Sequence, residues 1–126
     1  LESWNAKRRE IAKRYNQQFA GIEGVTTPVW IPGGTHVFHQ YTIRINPAVR
    51  NRDDIQAGLK TSGIMSMIYY PIPLHLQGTH KALGYKPGSL PVTEAMAKEV
   101  LSLPIFPEIT PDEIVQVVTA LSKLMS

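Results

Sequence analysis

The stretch from Thr35 to Asn46 constrains the fold most, because its side chains alternate between two characters. Successive side chains of a strand point to opposite faces, so the alternation predicts a strand with two unlike faces. The face that is apolar enough to pack on helices contains Val37, His39, Tyr41, Ile43 and Ile45. The opposite face mixes polar and aromatic side chains, namely His36, Phe38, Gln40, Thr42 and Arg44.

The mixed face is too polar for a core and too aromatic for plain solvent exposure. We therefore expect His36, Phe38, Gln40 and Arg44 to meet another domain, as interface or site residues. His39, on the apolar face, is expected to be a hydrogen-bonded core histidine.

Four other segments have the apolar spacing and end signals of helices. In the first, the residues spaced to share one face are Trp4, Ile11, Tyr15 and Phe19. The second begins at Asn51 and ends near Gly63, and the third covers Val92 to Leu101. The last begins at Thr110, where Glu113 completes a capping box.

A second, shorter strand is expected from Ile64 to Tyr70. It runs into two prolines, which lack the N–H that a strand ladder requires. The segment from Leu74 to Pro91 has no clear period and is expected to be a long loop, a type of segment that is often functional. We therefore predict one domain, residues 1–126, of the α+β class: a small antiparallel sheet of about three strands, covered on one face by helices.

Composition excludes several classes of protein. The chain has 43% hydrophobic and 18% charged residues, as one soluble globular domain would. The absence of cysteine excludes disulfides and thiolate metal sites and favours the cytoplasm. No apolar run reaches the roughly 18 residues that a membrane span needs. The four histidines lack the spacing of metal motifs, so no metal site is predicted.

A basic first helix raises the alternative of nucleic-acid binding. Its basic residues are Lys7, Arg8, Arg9, Lys13 and Arg14. They scatter around the helix, whereas a groove-binding helix gathers its charge on one face, and the net charge is only +3. We interpret them as a solvated surface, except for Arg8, which falls within the apolar stripe and should have a carboxylate or carbonyl partner.

The segment from Tyr69 to His75 carries two phenols and an imidazole on a backbone stiffened by Pro71 and Pro73. A stiff loop holds polar groups in place at little ordering cost, as a recognition site requires. The tyrosines could equally pack while the prolines simply end the strand. The residues by themselves leave both interpretations open.

These motifs, in this order and spacing, resemble the C-terminal part of the DegT/DnrJ/StrS family over almost the whole chain. The matching segments are Arg8 to Tyr15, His36 to Arg44, Arg52-Asp53, Gly63-Ile64, Tyr70 to Gln77, Gly84-Tyr85, Leu90 to Glu94 and Leu101 to Pro107. The resemblance implies a pyridoxal-phosphate aminotransferase of fold type I that acts on nucleotide-linked keto-sugars, usually with glutamate as amino donor. It further implies a homodimer whose large domain binds the cofactor and supplies the Schiff-base lysine.

In the family, the residues leading into the Tyr-Pro motif approach the sugar nucleotide. The resemblance therefore implies substrate-binding roles for Tyr69, Tyr70 and His75. Tyr70 matches the motif directly, Tyr69 stands where some relatives have histidine, and His75 matches without an assigned contact. Within the family, the segment from Tyr69 to His75 with the loop that follows most resembles that of enzymes that make 3-amino sugars for surface polysaccharides.

None of the chain's lysines stands in the family's cofactor-lysine context. The chain also starts at Leu1, directly in a helical pattern, as a part of something longer would. We therefore expect the large domain to be absent, and this polypeptide alone neither to bind pyridoxal phosphate specifically nor to transaminate. The alternative is a stand-alone interaction or regulatory module that kept the fold and lost catalysis.

Overall fold

The computed structural model describes residues 1–126 and contains four α-helices and three short strands. In chain order these are α1 (Glu2–Phe19), β1 (Val25–Thr26), β2 (Tyr41–Ile45), α2 (Arg52–Thr61), α3 (Pro91–Glu99), β3 (Val100–Leu103) and α4 (Pro111–Met125). Two 3₁₀ turns, Leu74–Leu76 and Gly78–Leu83, lie in the segment between α2 and α3. None of the helices combines the length and the apolar character that a membrane crossing needs.

The strands form one antiparallel sheet in the order β1-β2-β3, which confirms the predicted class. The predicted strand from Ile64 to Tyr70 is wrong: only Met67 pairs, in an isolated bridge with Ser102. Val100 and Leu101, predicted as the end of a helix, belong instead to the third strand, Val100–Leu103. The helix ends at Glu99, and at this junction Arg52 Nη1 donates to the carbonyl oxygens of Ala97 and Val100. The contact with Ala97 satisfies one of the carbonyls that the end of α3 leaves free.

Strand β2 is also shorter than the predicted range from Thr35 to Asn46, because the backbone departs from an extended conformation at Phe38. Phe38 has a φ of 47°, in the left-handed region that side chains other than glycine rarely adopt. The break reverses the predicted faces before Tyr41. Phe38 is buried, with only 2% of its surface exposed, whereas Val37 and His39 are exposed. The predictions that Phe38 lies on the exposed face and that His39 lies in the core are therefore wrong.

One hydrophobic core lies between the sheet and helices α1, α2 and α4. Tyr41, Ile43 and Ile45 of β2 face it, as predicted. In α1 the rings of Tyr15 and Phe19 stack at 5.5 Å, and Tyr15 lies 4.9 Å from the ring of Tyr41. Helices therefore cover one face of the sheet.

The first helix departs from its prediction at two positions. Trp4 was expected in the apolar stripe and is 52% exposed. Arg8 is half-buried as expected, but its Nε atom has no hydrogen-bond partner in the chain. Two of the remaining basic residues pair with carboxylates, Arg9 with Glu2 and Arg14 with Glu10. The helix thus presents paired charges rather than a single basic face.

Both predicted N-caps are present. The Asn51 side chain accepts hydrogen bonds from the backbone N–H groups of Asp53 and Asp54. Thr110 and Glu113 form the reciprocal capping box at the start of α4. These caps fix where α2 and α4 begin.

Candidate functional site

Tyr69 and Tyr70 lie on an exposed segment directly after the Met67–Ser102 bridge. Their side chains are 47% and 70% exposed. The bridge is made by two backbone hydrogen bonds of 2.9 Å, which tie the segment to the edge of β3. The phenols are therefore presented to solvent from a backbone that is anchored to the sheet.

A groove of about 280 Å³ brings Tyr69 together with Gln40, which lies just before β2. His39 lines the same groove, with Met67, Ser102 and Phe106 among its other walls. An adjoining groove of about 400 Å³ shares His39 and Gln40 and is also lined by His36 and Thr42. The structure thus collects His36, Gln40 and Tyr69 along one surface, which we call the sheet-end groove.

Sequence reasoning missed His39, Ser102 and Phe106 as groove residues. The alternation pattern placed His39 in the core because nothing in the sequence marks the backbone break at Phe38. Ser102 is brought to the groove by β3, a strand that was not predicted. Its hydroxyl lies 2.8 Å from that of Thr42 on the neighbouring strand.

The imidazole of His36 is held in one orientation by its own chain. Its Nδ1 accepts a hydrogen bond of 2.8 Å from the backbone N–H of Phe38, and the two rings lie 4.2 Å apart. Because Nδ1 is an acceptor, the neutral ring carries its hydrogen on Nε2. His36 therefore offers a fixed N–H donor in the sheet-end groove.

Arg44 was predicted on the same face, but it lines neither part of the groove. Its Nε donates to Glu99 Oε2, so the guanidinium is paired with the last residue of α3. The pair ties α3 to the middle of the sheet. The contact that the structure gives for Arg44 is therefore within the domain, and not in the groove.

His75 is buried, unlike Tyr69 and Tyr70, and only 8% of its surface is exposed. Its Nε2 lies 3.0 Å from Glu94 Oε1 in the first turn of α3. Glu94 also accepts hydrogen bonds from the backbone N–H groups of Gly88 and Leu90. The hydrogen bond from Gly88, and then those from His75 and Leu90, hold the pKa of Glu94 below its ordinary value.

A cavity of about 610 Å³ lies elsewhere, between α2 and the segment from Gly63 to Met67. It has Asp53 and Lys60 at its walls but none of the predicted site residues. We place the candidate site in the sheet-end groove, because the predicted residues Tyr69, Gln40 and His36 line it.

Neither a metal nor pyridoxal phosphate fits the residues of this chain. No group of three His, Asp or Glu residues is placed to hold a metal ion. A Schiff-base lysine is activated by removal from water or by a neighbouring cation. The lysines are all exposed: Lys7, Lys13, Lys60, Lys81, Lys86, Lys98 and Lys123. No step of cofactor chemistry is therefore assigned to them.

Residues 1–122 match the model of the DegT/DnrJ/EryC1/StrS aminotransferase family. The pleiotropic regulatory protein of Geobacillus stearothermophilus is 48% identical over 90% of this chain and 30% of its own length. A dTDP-3-amino-3,4,6-trideoxy-alpha-D-glucose transaminase of Streptomyces venezuelae is 35% identical over 95% of this chain and 31% of its own length.

Solved structures show the same relation. The crystal structure of S. venezuelae DesV superimposes with a TM-score of 0.89 at 34% identity, over 97% of this chain and 32% of that one. The crystal structure of an aminotransferase from Brucella abortus superimposes with a TM-score of 0.86 at 33% identity, over 99% of this chain and 32% of that one. The chain spans about a third of the length of the relatives it matches.

Proposed function

This chain belongs to the DegT/DnrJ/EryC1/StrS aminotransferase family, and from that premise we propose that it is the small C-terminal domain of an enzyme that aminates nucleotide-linked sugars. The observation that carries the proposal is the fold match to DesV, which covers nearly all of this chain and about a third of the neighbour. The other two-thirds would supply a large domain that binds pyridoxal phosphate. The assembled enzyme would be a homodimer that uses glutamate as amino donor.

The chemistry of amino transfer would be supplied by the cofactor, which acts as an electron sink when it is bound. This chain would contribute to substrate binding. The phenol of Tyr69, the amide of Gln40 and the Nε2–H of His36 line the sheet-end groove, where they can hydrogen-bond hydroxyl and phosphate oxygens. Tyr70, which is more exposed, would reach the sugar from the same segment.

The substrate class is narrowed by the relatives' names. Several are transaminases or aminotransferases of 3-amino or 3-oxo sugars carried on dTDP or UDP. We extend this class to the enzyme that contains the present chain and favour amination at the 3-position of the sugar.

The test compares the full-length protein with the 126-residue chain. Each is incubated with pyridoxal phosphate, glutamate and a panel of dTDP- and UDP-linked 3-keto-sugars, and 2-oxoglutarate is measured. The full-length protein should form 2-oxoglutarate in step with amino sugar, while the short chain should form none. Turnover by the short chain, or no sugar-dependent turnover by the full-length protein, would refute the proposal.

A regulatory module is the second candidate, because two relatives are named as a pleiotropic regulatory protein and a sensory transduction protein. Such a module would use exposed apolar side chains such as Met65, Met67 and Tyr70 for association. Size-exclusion chromatography separates the candidates. A stable oligomer of the short chain that dissociates in Met67→Asp, together with an inactive full-length protein, would favour the module.

A further inference from the structure

His75 is oriented differently from the residues around it. Tyr70, Ile72 and Leu74 are 70%, 54% and 60% exposed, whereas the His75 side chain keeps only 5% of its surface. Within this exposed segment, His75 is the side chain that reaches into the protein. An imidazole so enclosed has little surface left with which to touch a ligand.

Glu94, the partner of His75, accepts hydrogen bonds from His75, Gly88 and Leu90. Glu94 Oε1 faces His75 Nε2 at 3.0 Å. Gly88 N lies 2.9 and 2.8 Å from the two carboxylate oxygens, and Leu90 N lies 3.1 Å from Oε1. Because an ionised carboxylate only accepts, His75 Nε2 donates. Glu94 thus joins the 3₁₀ turn at 74–76, the loop at 88–90 and the first turn of α3.

The segment that carries the tyrosines is short and stiff between two anchors. At one end Met67 exchanges two backbone hydrogen bonds with Ser102. At the other end Leu76 N donates to the carbonyl of Pro73, beside the buried His75. Pro71 and Pro73 fix their own φ angles and restrict the residues before them. Fixing His75 therefore restricts where Tyr69 and Tyr70 can lie.

We propose that His75 is a positioning residue, which acts through Glu94 to hold Tyr69 and Tyr70 in the substrate-binding arrangement and does not itself touch the substrate. This assignment rests on the proposed function and refines it. It replaces the direct substrate contact that the resemblance implied for His75. The Tyr85 ring, 5.8 Å from the imidazole and edge-on to it, closes the remaining side.

A double-mutant cycle in the full-length protein distinguishes positioning from contact. The variants are His75→Ala, Glu94→Ala, the double variant and His75→Gln, whose amide retains a donor near the place of Nε2. His80→Gln is the matched control, since His80 lies in the same segment and bonds only Thr79. The probe is the dTDP- or UDP-linked 3-keto-sugar that the wild type aminates best.

If His75 acts through Glu94, His75→Ala and Glu94→Ala should each raise the KM for the sugar by about tenfold, as the loss of one well-placed hydrogen bond would. The double variant should be no worse than the worse single variant, because both remove the same link. His75→Gln should recover most of the loss, and His80→Gln should match the wild type. The rate of the glutamate half-reaction, which does not involve the sugar, should stay unchanged throughout. Effects that multiply in the double variant would mean that His75 contacts the substrate, and would overturn the proposal.

Amide hydrogen exchange separates failure of this proposal from failure of the proposed function. In the 126-residue chain, His75→Ala should speed exchange at Leu76, Gly88 and Leu90 at least tenfold while leaving the α1 core amides protected. Unchanged exchange at these three amides would refute the link itself. A wild-type full-length protein that binds no sugar nucleotide would refute the function and the substrate-positioning role, whatever the exchange result.

Discussion

The Nη1 atom of Arg52, at the start of α2, donates a 2.8 Å hydrogen bond to the carbonyl oxygen of Val100, where α3 gives way to β3. Arg52 is 8% exposed, and the same nitrogen also reaches Ala97 O at 3.2 Å. One guanidinium thus ties together two elements that are far apart in sequence. It holds the junction between α3 and β3 against the start of α2.

Replacing Arg52 by Lys should therefore destabilise the domain. Arg52 uses Nη1 for the two carbonyls and Nε for Asp53, and a lysine has only one nitrogen for these partners. Carbonyls left without donors cost about 1–3 kcal/mol. We expect Arg52→Lys to lower the free energy of unfolding by about 2 kcal/mol in urea titrations. Arg14→Lys, on the exposed face of α1, is the control and should change it by less than about 0.5 kcal/mol. Equal effects of the two substitutions would contradict this role.

The left-handed backbone at Phe38 predicts an unusual order of stabilities. Both Phe38→Ala and Phe38→Gly lose the buried ring, a loss of about 3–5 kcal/mol. Elsewhere in a fold Gly is usually less stable than Ala, but at a φ of 47° alanine is strained and glycine is not. Phe38→Gly should therefore unfold at higher urea than Phe38→Ala, by about 1 kcal/mol. The reverse order would show that the break at Phe38 is absent in solution.

The capping box at α4 predicts a smaller and more local effect. Thr110 Oγ1 accepts a hydrogen bond from the backbone N–H of Glu113. Thr110→Ala removes this cap and should lower the free energy of unfolding by about 1 kcal/mol. Thr119→Ala, at an exposed position inside the same helix, should be neutral or slightly stabilising, because alanine favours a helix interior. Urea denaturation of both variants checks the comparison, and a neutral Thr110→Ala would argue against the cap.

The carboxyl of Glu94 predicts how stability responds to acid. Its hydrogen bonds hold its pKa below the ordinary 4.5. A group whose folded pKa is depressed contributes stability above its unfolded pKa, and that contribution is lost as the pH falls through the folded pKa. His75 Nε2 faces this carboxyl at 3.0 Å, and its hydrogen bond is one of those that favour the ionised form.

Between about pH 6 and about pH 3, the wild type should therefore lose stability more steeply than Glu94→Gln. The exposed Glu108 provides the control, and Glu108→Gln should keep the wild-type slope. Urea midpoints measured across this range give both slopes. Parallel curves for the wild type and Glu94→Gln would contradict the link between Glu94 and the fold.

The sequence predicted those parts of the fold that depend on local chemistry. Asn51 and Thr110 cap helices because their side chains satisfy nearby N–H groups, and that requirement can be read from the spacing alone. The third strand could not be found in the same way. Residues 100–103 follow a helical segment without a break signal, and their stabilising contacts are with Arg52 and with β2. Both contacts come from distant parts of the chain.

The candidate site was predicted in part for a similar reason. Tyr69 and Gln40 line one part of the sheet-end groove, and His36 and Gln40 line the other. The sequence predicted these residues as two separate groups and did not bring them together. His39 joins them because the φ of Phe38 is positive. A phenylalanine in the sequence gives no signal for this conformation. The burial of His75 also had no local signal, since its partner Glu94 lies in another helix.

The central claim is that this chain forms the substrate-facing side of a nucleotide-sugar aminotransferase, and Tyr69 and Tyr70 test it most directly. The measurement is the KM of the full-length protein for its nucleotide sugar, in the wild type, Tyr69→Phe and Tyr70→Phe, beside the glutamate half-reaction. Losing a phenol hydroxyl that binds the sugar nucleotide should raise that KM several-fold, to about tenfold, while the glutamate step is unaffected. Wild-type kinetics in both variants, or an equal loss in the glutamate step, would contradict the account.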